Sequence, residues 1–182
     1  MVCGNDLLGY VGFVQEEKKS KVAAGKKKQI EPRRGVHGGA YVMEEQVGFL
    51  LRLANQRHTR IFAQKMGNGL TTTQFAALTK LHFRKKCTQN YLGALIAVDA
   101  VTIKGVVDRL VAKGLVQIVI DPADRRRRSI SLSPQGEDLI ERAIPVGAAI
   151  TRATLNCLAH RDQKEFIRLL KRVSGLTKIQ LA

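Results

Sequence analysis

The sequence contains no tryptophan, and only 5% of its 182 residues are aromatic. Since 45% are nevertheless hydrophobic, a core can form from Leu, Val, Ile and Ala side chains. Long apolar runs are also missing, because the longest, residues 91–98, ends at Asp99 and is far too short to span a bilayer. No secretory leader pattern is visible. We therefore expect one soluble, cytoplasmic domain, with room for a tail.

Cysteine is scarce, and the three cysteines, Cys3, Cys87 and Cys157, lie far apart in the sequence. No CxxC pair occurs, so neither a zinc ribbon nor a disulfide framework is indicated. Three ordinary thiols are the simplest interpretation. Cys87 follows two lysines, and a cationic, exposed setting activates a thiol. Cys87 is therefore the candidate if the protein senses peroxide.

The patterns that would mark an enzyme are missing as well. The sequence has no Gly-rich phosphate loop, no Gly-x-Ser-x-Gly turn and no histidines at metal-binding spacing. Its four histidines are dispersed. We therefore expect no catalytic activity, no cofactor and no bound metal.

Acidic residues are few compared with basic ones: 15 Asp and Glu stand against 31 Lys and Arg, a formal net charge of +16. A balance this basic predicts a polyanionic partner. Residues 1–40 are rich in Gly and Lys and show no hydrophobic period, which is typical of a flexible basic arm. The arm is either a solubilising tail or a source of contacts to phosphate or an anionic ligand, through Arg33 and Arg34.

Hydrophobic residues recur every three or four positions through most of the remaining chain, which is typical of amphipathic helices. A capping box of Thr71 and Gln74 should begin one helix, and Asp99 should cap another. Pro145 should kink the long helix that contains it. The predicted helices are residues 44–66, a helix from Thr71, and residues 88–97, 100–113, 134–156 and 162–173. The side chains that the last helix should bury are Phe166, Leu169 and Leu170.

Two short apolar runs, residues 115–120 and 130–132, flank a turn that contains Pro122 and Asp124. This pattern predicts a β-hairpin. Four arginines at or beside its tip would repel one another unless a polyanion receives them, and the minor groove of DNA attracts inserted Arg. Asp124 should tie down one Arg and stabilise the turn, while at least one other enters the groove. The predicted DNA-binding arginines are Arg125, Arg126, Arg127 and Arg128, with Arg126 and Arg127 preferred for insertion.

Two short helices upstream of the hairpin complete a winged helix-turn-helix pattern, whose second helix fits the major groove. Thr102 should hydrogen-bond a base edge and touch a thymine methyl, and Lys104 should reach guanine or a phosphate. Gly105 should let the backbone approach DNA, whereas Asp108 and Arg109 are expected in local ion pairs. The residues predicted to bind DNA from these helices are Gln89, Asn90, Ala100, Thr102, Lys104 and Gly105.

Residues 102–116, the wing Asp121-Pro122-Ala123-Asp124-Arg125-Arg126 and the following Leu132-Ser133-Pro134-Gln135-Gly136 resemble the MarR family of transcriptional regulators. Residues 50–59 resemble, more weakly, the first helix of members that repress aromatic-acid degradation genes. The resemblance implies a mainly α fold within residues 41–178, in which a winged helix-turn-helix (71–132) with a small β-hairpin wing joins an α-helical dimerisation stem (44–66, 134–156, 162–173). It also implies an obligate homodimer that represses from a pseudo-palindromic operator.

The resemblance further implies release from DNA by a small molecule, often an aromatic acid, bound between stem and winged lobe. His58 could hydrogen-bond a carboxylate or phenol, or could be a core histidine with an internal partner. Because some such repressors sense acyl-CoA thioesters, further cations are needed for coenzyme A phosphates, and acid and thioester both stay open. The predicted effector-binding residues are Arg52, Asn55, His58, Phe62 and Phe75, with Arg57, Arg60 and Arg84 for the phosphates.

Residues 82–87 depart from the family pattern, which usually has an acidic or neutral turn there. The cations of this segment either extend the DNA footprint or face an anionic effector. Two alternatives to the ligand-responsive repressor also remain: a redox-responsive repressor switched through a cysteine, and a winged-helix module for protein interaction.

Overall fold

The computed structural model describes residues 41–120, 128–176 and 180. A short 3-10 helix at Met43–Glu45 precedes the regular elements. These are α1 (Val47–Met66), α2 (Thr72–Arg84), β1 (Lys86–Cys87), α3 (Gln89–Leu95), α4 (Ala100–Ala112), β2 (Val116–Ile120), β3 (Arg128–Leu132), α5 (Pro134–Leu155) and α6 (His160–Val173). The predicted class, mainly α with a small antiparallel sheet, is confirmed. Within these ranges no helix is long and apolar enough to cross a membrane.

The chain divides into two compact units, Met1–Leu51 and Arg52–Ala182. The part of the first unit that is described, residues 41–51, holds the 3-10 helix and the start of α1. Predicted to begin at Glu44, α1 begins at Val47, because Gln46 has extended backbone angles. The second unit contains every other element.

Local capping fixes where the helices of the second unit begin. The hydroxyl of Thr71 accepts the Gln74 N–H at 3.2 Å, and the Gln74 side chain accepts the Thr71 N–H at 3.1 Å, which confirms the predicted capping box. Asp99 accepts the Thr102 N–H at 2.7 Å at the start of α4. Ser133 caps α5 in the same way, with proline at the first helical position.

The last two helices bear on two further predictions. Although Pro145 lies inside α5, the helix runs unbroken from Pro134 to Leu155, and the expected kink stays a prediction. Helix α6 begins at His160 rather than at Asp162, because Ala159 has extended backbone angles and ends the preceding turn.

The core of the second unit lies between the sheet and α2 to α5. The predicted inward face of α4 is confirmed, since Ile103, Val106, Val107 and Leu110 are all at most 2% exposed. Side chains from the neighbouring elements complete this core, among them Leu78, Leu81, Leu92, Ile130 and Ile140. The winged part of the chain is therefore packed around α4, the helix expected to contact DNA.

The sheet is antiparallel with the strand order β1-β3-β2, and Ile130 of β3 pairs with both Cys87 and Ile118. It meets α5 at Gly136, where a Cβ would lie 1.9 Å from the Leu115 carbonyl oxygen. Only glycine fits there, so the base of the wing is held against the start of α5. Arg128, predicted at or beside the hairpin tip, begins β3 opposite Ile120.

Helix α6 does not bury the side chains predicted for it. Phe166 is 40% exposed and Leu169 is 43% exposed, Leu170 is half-buried, and α6 contains no buried residue. The prediction is wrong for the isolated chain, because the described residues offer no apolar surface that covers this helix. In the first unit, Val47 is likewise 66% exposed.

Candidate DNA-binding surface and effector site

The outward residues at the start of α4 are exposed as predicted, but their polar groups already have partners. The Thr102 hydroxyl donates to Asp99 Oδ2 at 2.8 Å, in addition to the backbone bond that caps the helix. The Thr102 N–H is the main cause that holds the pKa of Asp99 below its usual value. The donor of Thr102 is thus engaged by the cap, and its oxygen keeps only acceptor capacity for a base edge. Ala100 presents a methyl group beside it.

Lys104 forms an ion pair along α4, with its Nζ 2.7 Å from Asp108 Oδ2. A local ion pair of Asp108 is therefore present, and the Lys104 ammonium is engaged within the helix. The Arg109 guanidinium lies beside Gly105, since a Cβ added to that glycine would be 3.4 Å from Arg109 Nη1. The backbone approach predicted at Gly105 would therefore require the Arg109 side chain to move, because its guanidinium covers the half-buried glycine.

At the preceding helix, Asn90 is exposed and Gln89 is half-buried, directly after Thr88, which caps α3. Both lie in the first turn, where phosphate contacts were predicted. In the wing, Arg128 is exposed on β3. The predictions for Asp124, Arg125, Arg126 and Arg127 fall on residues 121–127, which lie outside the described part of the chain.

The cations of residues 82–87 are directed largely to internal partners. Lys85 Nζ lies 3.0 Å from Glu137 Oε1 on α5, and the Arg84 guanidinium lies 5.3 Å from the ring centre of Tyr91. Lys85 also has φ of 65°, which for a non-glycine residue costs about 1–3 kcal/mol. Lys85 and Arg84 thus both contact partners within the fold. Their presence can be explained without an extended DNA footprint or an anionic effector.

His82, Glu137 and Glu141 could hold a metal ion, because their ligand atoms lie within 4.8 Å of one another. His82 Nδ1 is buried and 3.0 Å from Glu137 Oε1, but the contact is poorly aligned for a hydrogen bond. Lys85 supplies the main hydrogen bond that lowers the pKa of Glu137. A metal ion would therefore have to displace the Lys85 ammonium.

Three of the predicted effector residues form a row of rings. The His58 and Phe62 ring centres are 6.4 Å apart, and Phe62 meets Phe75 edge to face at 5.8 Å. Phe62 is buried, and a Cβ at Gly147 of α5 would lie 2.6 Å from Phe75 Cζ. Phe62 is therefore packed in the fold, whereas His58 and Phe75, at the two ends of the row, are each half-buried.

His58 has an internal partner on α5, since its Nδ1 lies 3.1 Å from the hydroxyl oxygen of Thr154. That hydroxyl donates its proton to the Ile150 carbonyl at 2.9 Å, so it can only accept from His58. The neutral imidazole then carries its proton on Nδ1 and leaves Nε2 as an acceptor. Sequence reasoning missed Thr154, because only the folded chain brings α1 and α5 together.

The predicted cationic residues do not gather around this row. Arg57 Nη2 donates to Asn156 Oδ1 at 3.1 Å, near the end of α5, whereas Arg84 stacks on Tyr91 in the winged part. Arg60 is exposed on α1, as are Arg52 and Asn55. Side-chain hydrogen bonds thus link Arg57 and His58 to the same end of α5.

The cysteine predicted as a redox sensor lacks the expected setting. Cys87 is 8% exposed in the core, and burial raises the pKa of its thiol, with Arg84 opposing the shift. A buried thiol held in its neutral form is a poor nucleophile. Cys157 is exposed, and Cys3 lies outside the described residues.

Two helices joined by a tight turn, followed by a hairpin and carrying exposed polar residues on the second helix, define a winged helix-turn-helix protein of the transcription-regulator class. The chain belongs to the MarR family, whose model matches residues 68–127. It is 38% identical over 134 residues to the HTH-type transcriptional repressor NicR of Pseudomonas putida, covering 73% of this chain and 85% of NicR. The predicted family resemblance is confirmed.

Solved structures of related regulators share this fold. A probable transcriptional regulator from Pseudomonas aeruginosa is 46% identical, with a TM-score of 0.70 over 72% of this chain and 99% of that one. BpsR from Bordetella bronchiseptica, whose DNA binding is regulated by 6-hydroxynicotinic acid, is 36% identical. Its TM-score is 0.71, over 76% of this chain and 100% of BpsR.

Proposed function

We propose that the protein is a homodimeric repressor that binds a pseudo-palindromic DNA operator and releases it when an aromatic carboxylic acid binds. The observation that carries the proposal is the row His58, Phe62 and Phe75, at whose polar end His58 Nε2 has no partner among the described residues. The similarity to BpsR, which responds to 6-hydroxynicotinic acid, supports the same class of effector.

The DNA-binding part of the proposal rests on α4 and the wing. Residues 71–132 would act as the winged helix-turn-helix, with α4 in the major groove and the arginines after Asp124 along the minor groove. The residues proposed to contact DNA are Gln89, Asn90, Ala100, Thr102, Lys104, Gly105 and Arg125 to Arg128. The net charge of +16 favours such contacts, so we expect operator affinity to fall steeply with salt.

The dimer is proposed from the uncovered helices α1 and α6. Phe166, Leu169 and Val173 of α6 recur at helical spacing and are all at least 40% exposed. An apolar stripe of this kind is typical of a helix that packs against another element. A second copy of the chain would cover it, and two α4 helices would then face successive turns of DNA.

A free acid is favoured over its CoA thioester as the effector. Three cations were expected for coenzyme A phosphates. Arg57 and Arg60 lie on α1, but Arg84 stacks on Tyr91 in the winged part. We propose that the effector ring contacts the exposed edge of the aromatic row. A hydroxyl group on the effector ring would donate to His58 Nε2. The effector carboxylate would replace Asn156 as the partner of Arg57.

The test is fluorescence anisotropy on a labelled duplex from the region upstream of the gene. We expect 6-hydroxynicotinic acid or a related aromatic acid to release the duplex, and the matched CoA thioester to have no such effect. R57A should bind DNA normally but need more acid for release, while R60A on the same helix serves as the control. Release by the thioester alone would contradict the proposed effector class, and failure to bind duplex DNA at low salt would favour a protein-interaction module.

A further inference from the structure

Val101 is the most exposed large hydrophobic side chain in the described residues, at 83%. It is the second residue of α4, whose buried face is formed by Ile103, Val106, Val107 and Leu110. Because successive helical residues are about 100° apart, Val101 lies opposite the centre of that buried face. Valine is also a weaker helix former than alanine. Packing and helix propensity therefore give no reason for a valine at this position.

The surroundings of Val101 leave its apolar surface available for contact. Gly105 follows one turn later on the same line of the helix, where the Arg109 guanidinium lies against it, since a Cβ there would be 3.4 Å from Arg109 Nη1. The polar neighbours are engaged, since Thr102 donates to Asp99 and Lys104 pairs with Asp108. The first turn of α4 thus presents Val101 as an exposed apolar tip beside polar groups that already have partners, with the Arg109 guanidinium packed against the next turn.

We propose that Val101 reads a thymine in each operator half-site by packing its methyl groups against the thymine 5-methyl group. This inference rests on the proposed function. Thymine is the one base that presents a methyl group in the major groove, so an apolar side chain there selects it over cytosine and the purines. The contact that the sequence suggested for the Thr102 methyl is thereby assigned to Val101.

The test begins with selection of bound duplexes from a random library by the wild-type protein and by V101A. The wild-type motif should contain a thymine in each half-site, and V101A should lose that preference. Each thymine of the wild-type motif is then replaced by deoxyuridine, which lacks only the methyl group. Anisotropy should show wild-type affinity falling roughly fourfold for each contacted methyl removed, the value expected for one methylene-sized apolar contact.

Three variants separate this contact from general effects. V101A should bind the thymine and deoxyuridine duplexes equally, while V101I, which keeps a branched apolar side chain, should retain the difference. V111A, the same change at an exposed valine in the last turn of α4, should behave as wild type. Since Val101 is exposed, V101A should unfold at the wild-type denaturant midpoint.

The possible results are distinguishable. Equal wild-type affinity for every thymine and deoxyuridine pair would overturn the role of Val101 and leave the repressor proposal standing. The role of Val101 would also be overturned if V101A showed the same affinity difference between thymine and deoxyuridine duplexes as the wild type. If the wild-type protein selects no duplex at low salt, the proposed DNA-binding function fails, and the inference fails with it.

Discussion

The winged part of the chain and α6 differ in how completely each buries its apolar residues. The inward face of α4 is covered by α2, α3 and the sheet, and its helix start is capped within the chain. Helix α6, by contrast, buries no residue and leaves Phe166 40% exposed. The comparison teaches that the core of the winged module is completed by described residues of one chain, whereas the apolar face of α6 is left uncovered by them.

The largest expected effect is on the core of the winged module. Leu110 is fully buried, so L110A should lower the free energy of unfolding by about 2–5 kcal/mol through lost burial and a residual cavity. The neighbouring V111A, at a site 40% exposed, should change it by less than about 0.5 kcal/mol. Urea denaturation at one fixed protomer concentration measures both. Equal losses would mean that α4 is not packed as described.

The second largest effect is expected from a charge placed on α6. F166E places a carboxylate in the proposed interface, so it should convert dimers to monomers and weaken operator binding by more than tenfold, or about 1.4 kcal/mol. F83E is the matched control, because Phe83 is 69% exposed on α2. Light scattering after size exclusion reports the mass. A dimeric F166E protein would remove α6 from the proposed stem.

Gly147 of α5 lies against the Phe75 ring of α2 and so affects how α5 packs on the winged part. G147A would place a Cβ 2.6 Å from Phe75 Cζ and should cost about 1–3 kcal/mol through overpacking. At Gly48 a Cβ meets nothing within 4 Å, so G48A should be neutral or stabilising by helix propensity. Thermal unfolding measures the melting temperatures of G147A and G48A against that of the wild type. Equal melting temperatures for G147A and the wild type would show that Phe75 can move away freely.

The smallest expected effect is the pH dependence carried by Glu137. Hydrogen bonding from Lys85 holds the pKa of Glu137 below its ordinary value, so the folded state binds fewer protons than the unfolded state as the pH falls. The stabilisation is complete above the unfolded pKa of about 4.3 and is lost as the pH falls through the lower folded pKa. The melting temperatures of wild type and E137Q should therefore converge in acid. K85M should show a weaker pH dependence, and parallel wild-type and E137Q curves down to pH 3 would contradict this account.

Features governed by neighbouring residues could be predicted from the sequence. The capping box at Thr71 and Gln74, the cap at Asp99 and the buried face of α4 follow from local hydrogen bonding and helical spacing. Burial of Phe166 was predicted wrongly, because the spacing shows an apolar face but not whether the same chain covers it. The row of rings consists of His58, Phe62 and Phe75, which the family resemblance had suggested as effector-binding residues. Their aromatic and histidine side chains lie on apolar helix faces, which suits a ligand pocket.

Contacts between distant segments could not be predicted. The pairs His58 with Thr154 and Lys85 with Glu137 join residues far apart in the sequence, and their geometry exists only after α5 has packed. The same holds for Cys87, which the charge pattern suggested as exposed and reactive. Its strand pairs with β3 and places the thiol in the core.

Sedimentation velocity of the labelled upstream duplex, with and without an aromatic acid such as 6-hydroxynicotinic acid, tests the central claim most directly. We predict a complex of two protomers per operator, which the acid converts into free duplex and free dimer. A complex that keeps its mass in saturating acid, for all aromatic acids tested, would contradict the proposed effector response. One protomer per operator would contradict the proposed dimer.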